Sequence, residues 1–391
     1  MGNKAMKIED ICKVSSSKRI FAREYVETGV PFWRGKEVTE HATGKNDSKG
    51  LFISAKRYNE LKQTGNVPSD DDVLITAVGT IGSIYQIKHE DLPFYFKDGN
   101  IIRLSNWNTD RVNPTYVSLF LRSQIGQQAI KEVEIGSTQK ALTIKDIAKV
   151  PILLPELKTQ NDIAAAIGVI DAKIKINQQI NKNLLRLCRI QFNRVKLACS
   201  STTDLSNIAV LMMGQSPKGN TYNQKGEGTP LLNGAADFRG GINPSKYTSD
   251  PKKVTKPGDY VFGVRATIGL TTKVFGRYAI GRGTGLARSL KPESDELLYF
   301  ILEDSFDYFS HAATGSVYPN VSRKDFEAYS SPAFSDNSQR VFHSFAAPLM
   351  EKIYQDETQN KKLTQIRDIL LPKLLSGSVD LSGIEEAMKN A

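Results

Sequence analysis

An apolar pattern at helical spacing, sustained for about 37 residues and present twice, constrains this chain more than any other feature. The first copy runs from about Thr159 to Lys196, with Ile163, Ile167, Ile170, Ile174, Leu184, Cys188 and Val195 on one stripe. The second starts near Ser338, with Phe342, Phe345, Leu349, Ile353, Leu363, Ile366 and Leu370. Neither copy has proline or glycine near its middle, so each predicts one long helix with a narrow apolar seam. At 1.5 Å per residue such a rod reaches about 55 Å, beyond an ordinary globular helix. The middle of each seam is polar: Asn177 and Asn181 in the first, Asp356 and Asn360 in the second. Two readings stay open there. One is a buried polar layer that fixes register; the other is a splayed, wet or externally covered stretch.

The two copies belong to a larger repeat. An offset of 179 places Gly136-Ser137 over Gly315-Ser316, Lys145-Asp146 over Lys324-Asp325, Ile170 over Leu349 and Asn181 over Asn360 without a gap. Upstream, an offset of 187 places Thr80-Ile81-Gly82 over Thr267-Ile268-Gly269. Further back, Pro31 and Gly35 match Pro230 and Gly234. A collinear series of this length predicts a tandem duplication, each unit a globular part followed by a rod. The globular parts alternate short β-like runs with glycine- and proline-marked turns, such as 72–78, 82–87, 100–104 and 259–265. A short helix is expected after Pro114, with Val117, Phe120, Leu121 and Ile125 on one face, and another over 296–309. The expected class is α/β of the α+β kind: two mixed, mostly β domains separated by two long helices. If a pseudo-two-fold relates the halves, the rods pair as an antiparallel coiled coil. The expected boundaries are 1–155 and 199–337 for the domains, 156–198 and 338–376 for the rods, and 377–391 for a tail.

Composition narrows the partner. A net charge of +10 and a pI near 9.2 fit a polyanion, nucleic acid before an anionic membrane surface, beside the plain alternative of a merely basic protein. Cys12, Cys188 and Cys199 form no CxxC pair, which suits a reduced, cytoplasmic protein without structural zinc. No run of about 18 apolar residues predicts a membrane span. No phosphate-binding loop or dinucleotide fingerprint occurs, and the four histidines, His41, His89, His311 and His343, lack metal spacing. The glycine-rich stretch 281–285 reads as a turn, although Arg282 could meet a phosphate there. Asn113-Pro114-Thr115-Tyr116 lacks the second proline of the NPPY loop of adenine methyltransferases. Asp70-Asp71-Asp72 reads as a solvated turn before a strand, and Pro155-Glu156-Leu157-Lys158 as the tail of a nuclease motif without its upstream acid. The chain does not read as an enzyme.

The duplicated hydrophobic block ending in Thr-Ile-Gly (Asp72–Gly82 and Gly258–Gly269) and the Gly-Ser and Lys-Asp pairs closing each globular part have a family counterpart. Together with the two rods they resemble the DNA-specificity subunit of type I restriction–modification systems. The resemblance covers nearly the whole chain. It implies that the globular parts are target-recognition domains and the rods a spacer that also docks methyltransferase subunits. It further implies no catalysis and no cofactor in this chain; S-adenosylmethionine, ATP and Mg are expected on partner subunits. The expected partners are double-stranded DNA with a bipartite, asymmetric target, two adenine methyltransferase subunits, and restriction (translocase) subunits. Duplex readout favours Arg, Lys, Asn and Gln at groove edges. The candidates in the first domain are Arg34, Lys36, Lys45 and Lys49, with Gln139 and Lys140 after the Gly-Ser turn. In the second they are Lys218, Arg239, Arg265, Arg282, Tyr318 and Asn320. Two other functions remain to be weighed: a self-contained DNA adenine methyltransferase, and a non-catalytic coiled-coil adaptor for another anionic partner.

Overall fold

A computed structural model describes residues 4–44, 50–136, 140–239, 241–264, 268–312 and 321–379. The chain is α+β and divides into two compact units, Met1–Ile174 with Lys362–Ala391, and Lys175–Lys361. Each unit holds one globular part, the first half of the rod that follows it and the last half of the other rod.

In the first unit the strands are β1 (Lys4–Lys7), β2 (Lys13–Ser15), β3 (Tyr25–Val26), β4 (Val30–Trp33), β5 (Leu51–Ile53), β6 (Val73–Thr76), β7 (Ile84–Gln86), β8 (Tyr95–Phe96), β9 (Ile101–Ser105) and β10 (Pro151–Leu154). One antiparallel sheet runs β2-β9-β6-β7; a second runs β3-β5-β4-β8, its last pair parallel; β1 pairs with β10. The helices are α1 (Gly35–Ala42), α2 (Ala55–Gln63), α3 (Pro114–Arg122), α4 (Gln124–Glu132), α5 (Ile144–Ala148) and the rod α6 (Leu157–Leu197).

The second unit repeats the strand plan. Its strands are β11 (Thr202–Asp204), β12 (Ala209–Met213), β13 (Tyr222–Asn223), β14 (Thr229–Leu232), β15 (Lys246–Thr248), β16 (Tyr260–Gly263), β17 (Gly269–Lys273), β18 (Ala279–Ile280), β19 (Thr284–Ser289) and β20 (Ser330–Pro332). They pair as β12-β19-β16-β17, β13-β15-β14-β18 and β11-β20, the same orders ten places on. Helices α7 (Asp295–Ala312), α8 (Arg323–Glu327) and the rod α9 (Asp336–Leu375) complete it. The duplication is therefore topological and not only textual.

The expected single helix after Pro114 is two helices. Ser123 adopts extended backbone (φ −68, ψ 163), and its hydroxyl accepts the Gly126 N–H at 3.2 Å, starting a new helix. A Cβ on Gly126 would lie 2.1 Å from the Phe120 carbonyl oxygen, so only glycine allows so sharp a corner. Ile125 consequently leaves the face of Val117, Phe120 and Leu121 and is 42% exposed. In the other unit Ser305 stays helical, its hydroxyl donating to Leu302 O, and α7 continues unbroken.

Within each unit the rods run antiparallel. In the first, Ile163 and Ile167 share a core with Leu371, Leu374 and Leu375, and Arg367 Nη1 donates to Asp171 Oδ1 at 2.8 Å. In the second, Cys188 and Phe192 pack with Phe342, Ala346, Met350 and Ile353. Ile170, Ile174, Leu184, Leu349 and Leu363 are half-buried seam residues. Two expected seam residues turn away: Phe345 is 40% and Ile366 51% exposed, because a seam this narrow holds only part of each turn.

The polar middle lies in the second unit, with Asn177 and Asp356 buried and Asn181 and Asn360 half-buried. Asn177 is fully enclosed; its amide donates to Gln359 Oε1 at 2.7 Å and Asn360 Oδ1 at 2.9 Å. Asn181 donates to Ile353 O at 3.3 Å, and Lys352 donates to the buried Asp356 at 2.6 Å. Asn177 and Asn181 thus bond across to the facing rod, while Asn177 Oδ1, Asn181 Oδ1 and Asp356 Oδ2 have no partner among the described residues.

Candidate nucleic-acid interface

In the second unit three loops meet where β12, β14 and β18 end. Gln215 N–H donates to Ile280 O at 2.9 Å, Gly281 N–H to Leu232 O at 2.9 Å, and Gly283 N–H to Asn233 O at 3.2 Å. The glycine-rich stretch exists because of this crowding. A Cβ on Gly281 would lie 2.1 Å from Asn233 Oδ1, and one on Gly283 2.4 Å from Asn233 O. These loops carry Gln215, Lys218, Asn233, Arg239 and Arg282, all exposed. Their side chains have no hydrogen-bond or ionic partner among the described residues, so this rim offers three cations and two carboxamides to a ligand.

The same three loops meet in the first unit. Lys97 N–H donates to Trp33 O at 2.9 Å, Ser17 Oγ to Phe96 O at 2.7 Å, and Lys18 N–H to Tyr95 Oη at 2.8 Å. Here the charges are largely internally paired. Arg19 meets Asp98 at 2.9 Å, and Arg34 forks onto Glu37 with Nη2–Oε1 at 2.6 Å and Nε–Oε2 at 3.2 Å. Glu37 Oε2 also accepts the Arg34 backbone N–H at 2.8 Å. Burial opposes ionisation of Glu37, but these bonds outweigh it and hold the carboxyl below its usual range. Lys36 lies 3.5 Å from Glu40, and Lys140 2.9 Å from Glu134.

Of the expected contacts, Arg34 joins the first unit's rim, and Lys218, Arg239 and Arg282 join the second unit's. Lys36 sits on α1, and Lys140 precedes Ala141, which bridges to Ile135. Lys45, Lys49, Gln139, Arg265, Tyr318 and Asn320 lie outside the described residues. The rim residues Gln215 and Asn233 were not among the expected contacts. Asn233 occupies the place of Arg34 in the Pro230/Pro31 and Gly234/Gly35 alignment, and that match was the available signal.

One other feature, the acidic run, differs from the sequence expectation, and the Asn-Pro-Thr-Tyr stretch agrees with it. Asp70 and Asp71 are exposed, but Asp72 is buried, 3.6 Å from Arg103. Its duplicate Asp259 forks onto Arg288 at 2.6 and 2.7 Å. Both pairs bridge neighbouring strands, so this acid belongs to the sheet and not to a solvated turn. Asn113-Pro114-Thr115-Tyr116 is the start of α3: Asn113 Oδ1 accepts the Thr115 N–H at 2.8 Å, and the buried Tyr116 donates to Leu153 O at 2.7 Å. Burial pushes the Cys12 and Cys188 thiols up to about 12 and about 11, inert values. Among the described residues no cluster of His, Cys, Asp or Glu could hold a metal ion, and no helix is long and apolar enough to cross a membrane.

Two α+β units of one strand plan, each with antiparallel rod segments and a polar loop rim, define a duplicated scaffold as the class of this protein. Residues 2–186 match the type I restriction modification DNA specificity domain, and the chain is similar to specificity subunits of such systems. It is 24% identical over 340 residues to a putative type I restriction enzyme specificity subunit of Methanocaldococcus jannaschii, covering 79% of this chain and 78% of the relative. A putative specificity subunit of Haemophilus influenzae is 30% identical over 183 residues, 46% of this chain and 43% of the relative. The fold is that of the type I restriction–modification S subunit from M. genitalium, with TM-score 0.58, 15% identity and 95% of each chain covered.

Proposed function

We propose that this chain reads a bipartite, asymmetric duplex DNA target, one half-site per unit, and directs adenine methyltransferase and restriction subunits to it. The observation that carries the reading is the unlike chemistry of two topologically identical rims: mostly self-paired charges in the first, free cations and carboxamides in the second. Two readers of one sequence would not need to differ. The excess positive charge supports a phosphate-dominated share of the affinity. Along α6 within the second unit, Ile176, Ile180, Leu187 and Ile190 form an exposed apolar stripe at coiled-coil spacing. Such a stripe suits a partner's helix, and we assign it to the methyltransferase subunits. S-adenosylmethionine, ATP and Mg then belong to those partners, and the chain itself performs no catalysis.

The test is methylation and gel-shift selection on random duplexes with the reconstituted methyltransferase subunits. A consensus in two unlike blocks at fixed spacing is expected; a single block, or none, would defeat the proposal. Methyl transfer by the purified chain alone is expected to be nil.

A further inference from the structure

The residue following the central strand of the second small sheet is held in an unusual way in both units. In the first it is Arg34, whose backbone N–H donates to the buried Glu37 carboxylate at 2.8 Å. In the second it is Asn233, whose N–H donates to Asp237 Oδ2, also at 2.8 Å. Asp237 is itself buried and accepts the Ser245 hydroxyl at 3.2 Å. On the other side, the Asn233 carbonyl accepts the Gly283 N–H. The backbone of this one position is therefore clamped from two loops. Its carboxamide is nonetheless exposed, with no hydrogen-bond partner among the described residues. Asn233 Oδ1 packs where a Cβ of residue 281 would stand, 2.1 Å from that position, so Gly281 is what lets the carboxamide sit there. A fixed backbone carrying an unspent donor–acceptor pair is what base reading needs, because rigidity is settled before the ligand arrives.

We propose that Asn233 is a specificity-determining residue that reads one adenine in the major groove of the second unit's half-site. This rests on the DNA-reading function proposed above. A carboxamide offers one acceptor and one donor in a plane, matching the adenine N6 amino group and N7. The neighbouring cations Lys218, Arg239 and Arg282 can only donate, and serve to hold phosphates around that contact. Arg34, in the equivalent place, is a donor fork, so the two units would differ in base preference at one matched position.

The experiment uses the full chain assembled with its methyltransferase subunits. Binding is measured on the selected target, on all single-base variants, and on targets carrying 7-deazaadenine in place of each adenine. Asn233→Ala should weaken the parent target roughly 5- to 150-fold. It should abolish preference at one adenine of one half-site and leave the other half-site's preferences unchanged. 7-Deazaadenine at that position should weaken the parent similarly but add little to the variant, because both remove the same contact. Asn233→Asp, which keeps the shape but loses the donor, should move preference at the same position. Lys218→Ala should instead lower affinity on every sequence and flatten the salt dependence. Unchanged single-base preferences in Asn233→Ala would overturn the proposal while leaving the bipartite reading intact. Uniform loss across all sequences would also overturn it, by showing a folding or phosphate role. Absence of any two-block consensus with the unaltered chain would overturn both.

Discussion

Asp72 and Asp259 stand at matched positions, yet their surroundings differ enough to give different chemistry. Asp259 is forked by Arg288, whereas Arg103 approaches Asp72 only to 3.6 Å. Burial pushes the Asp72 carboxyl up to about 6, partly countered by the Ser69 N–H and by Arg103. Its folded value thus lies above the unfolded one, so the native state holds this proton more tightly. Stability from this group is full at acid pH, below the unfolded value, and is lost as pH rises through about 6. A shift of this size corresponds to about 3 kcal/mol. Asp72→Asn cannot ionise, so its stability relative to the parent should improve by about that amount between roughly pH 4 and pH 7. Both tryptophans, Trp33 and Trp107, lie in the first unit, so urea unfolding followed by their fluorescence reports it directly. A pH-independent difference would show that the Asp72 carboxyl titrates alike in the folded and unfolded chain. The sequence placed Asp72 in a solvated run of three acids; its pairing could be found only through the duplicate and the strand partner 31 residues on.

At the scale of elements, the rods were the most legible part of the chain and their attachment the least. Period and length predicted the two helices because a seam needs nothing but apolar residues at the right spacing. Beside the apolar contacts, a single polar side chain ties the start of each rod to its domain, and no periodicity reveals it. Gln160 is fully buried; its oxygen accepts the Asn113 N–H at 2.9 Å, and its amide donates to Arg111 O at 2.9 Å and Pro155 O at 2.8 Å. Gln339, its mate at the 179 offset, is half-buried, accepts from Ser294 Oγ at 2.7 Å and donates to Phe334 O at 2.8 Å. Deleting the first leaves three part-buried backbone groups without that partner, so Gln160→Ala should cost about 1–3 kcal/mol, and Gln339→Ala about 1 kcal/mol. Tryptophan fluorescence should report the first loss and not the second. Equal responses would mean that the two glutamines do not act within separate units. The break between α3 and α4 was missed for a related reason: Val117, Phe120, Leu121 and Ile125 keep helical spacing across a corner made by Ser123 and Gly126.

For the whole molecule, the fixed offset between duplicates foretold the strand plan, since two copies of one fold must repeat their pairing. It could not foretell the rims, where the copies have diverged and ranking by charge favoured cations over the carboxamides of Gln215 and Asn233. Nor could it foretell that each unit borrows the far end of the other's rod. That exchange has a consequence for synthesis. The second unit is one uninterrupted stretch, Lys175–Lys361, and can close as it leaves the ribosome. The first cannot, because Ile163 and Ile167 wait for Leu371, Leu374 and Leu375. Roughly 200 residues separate them, so at about 5–20 residues per second that apolar face stays uncovered for about 10–40 s. Nascent chains arrested near residue 360 should therefore yield a protease-resistant second unit, with the first still cleavable around Ile163. Resistance of both at that length would show that the first unit closes without its borrowed end. The far end of the second rod is thus what completes the domain that precedes the first rod.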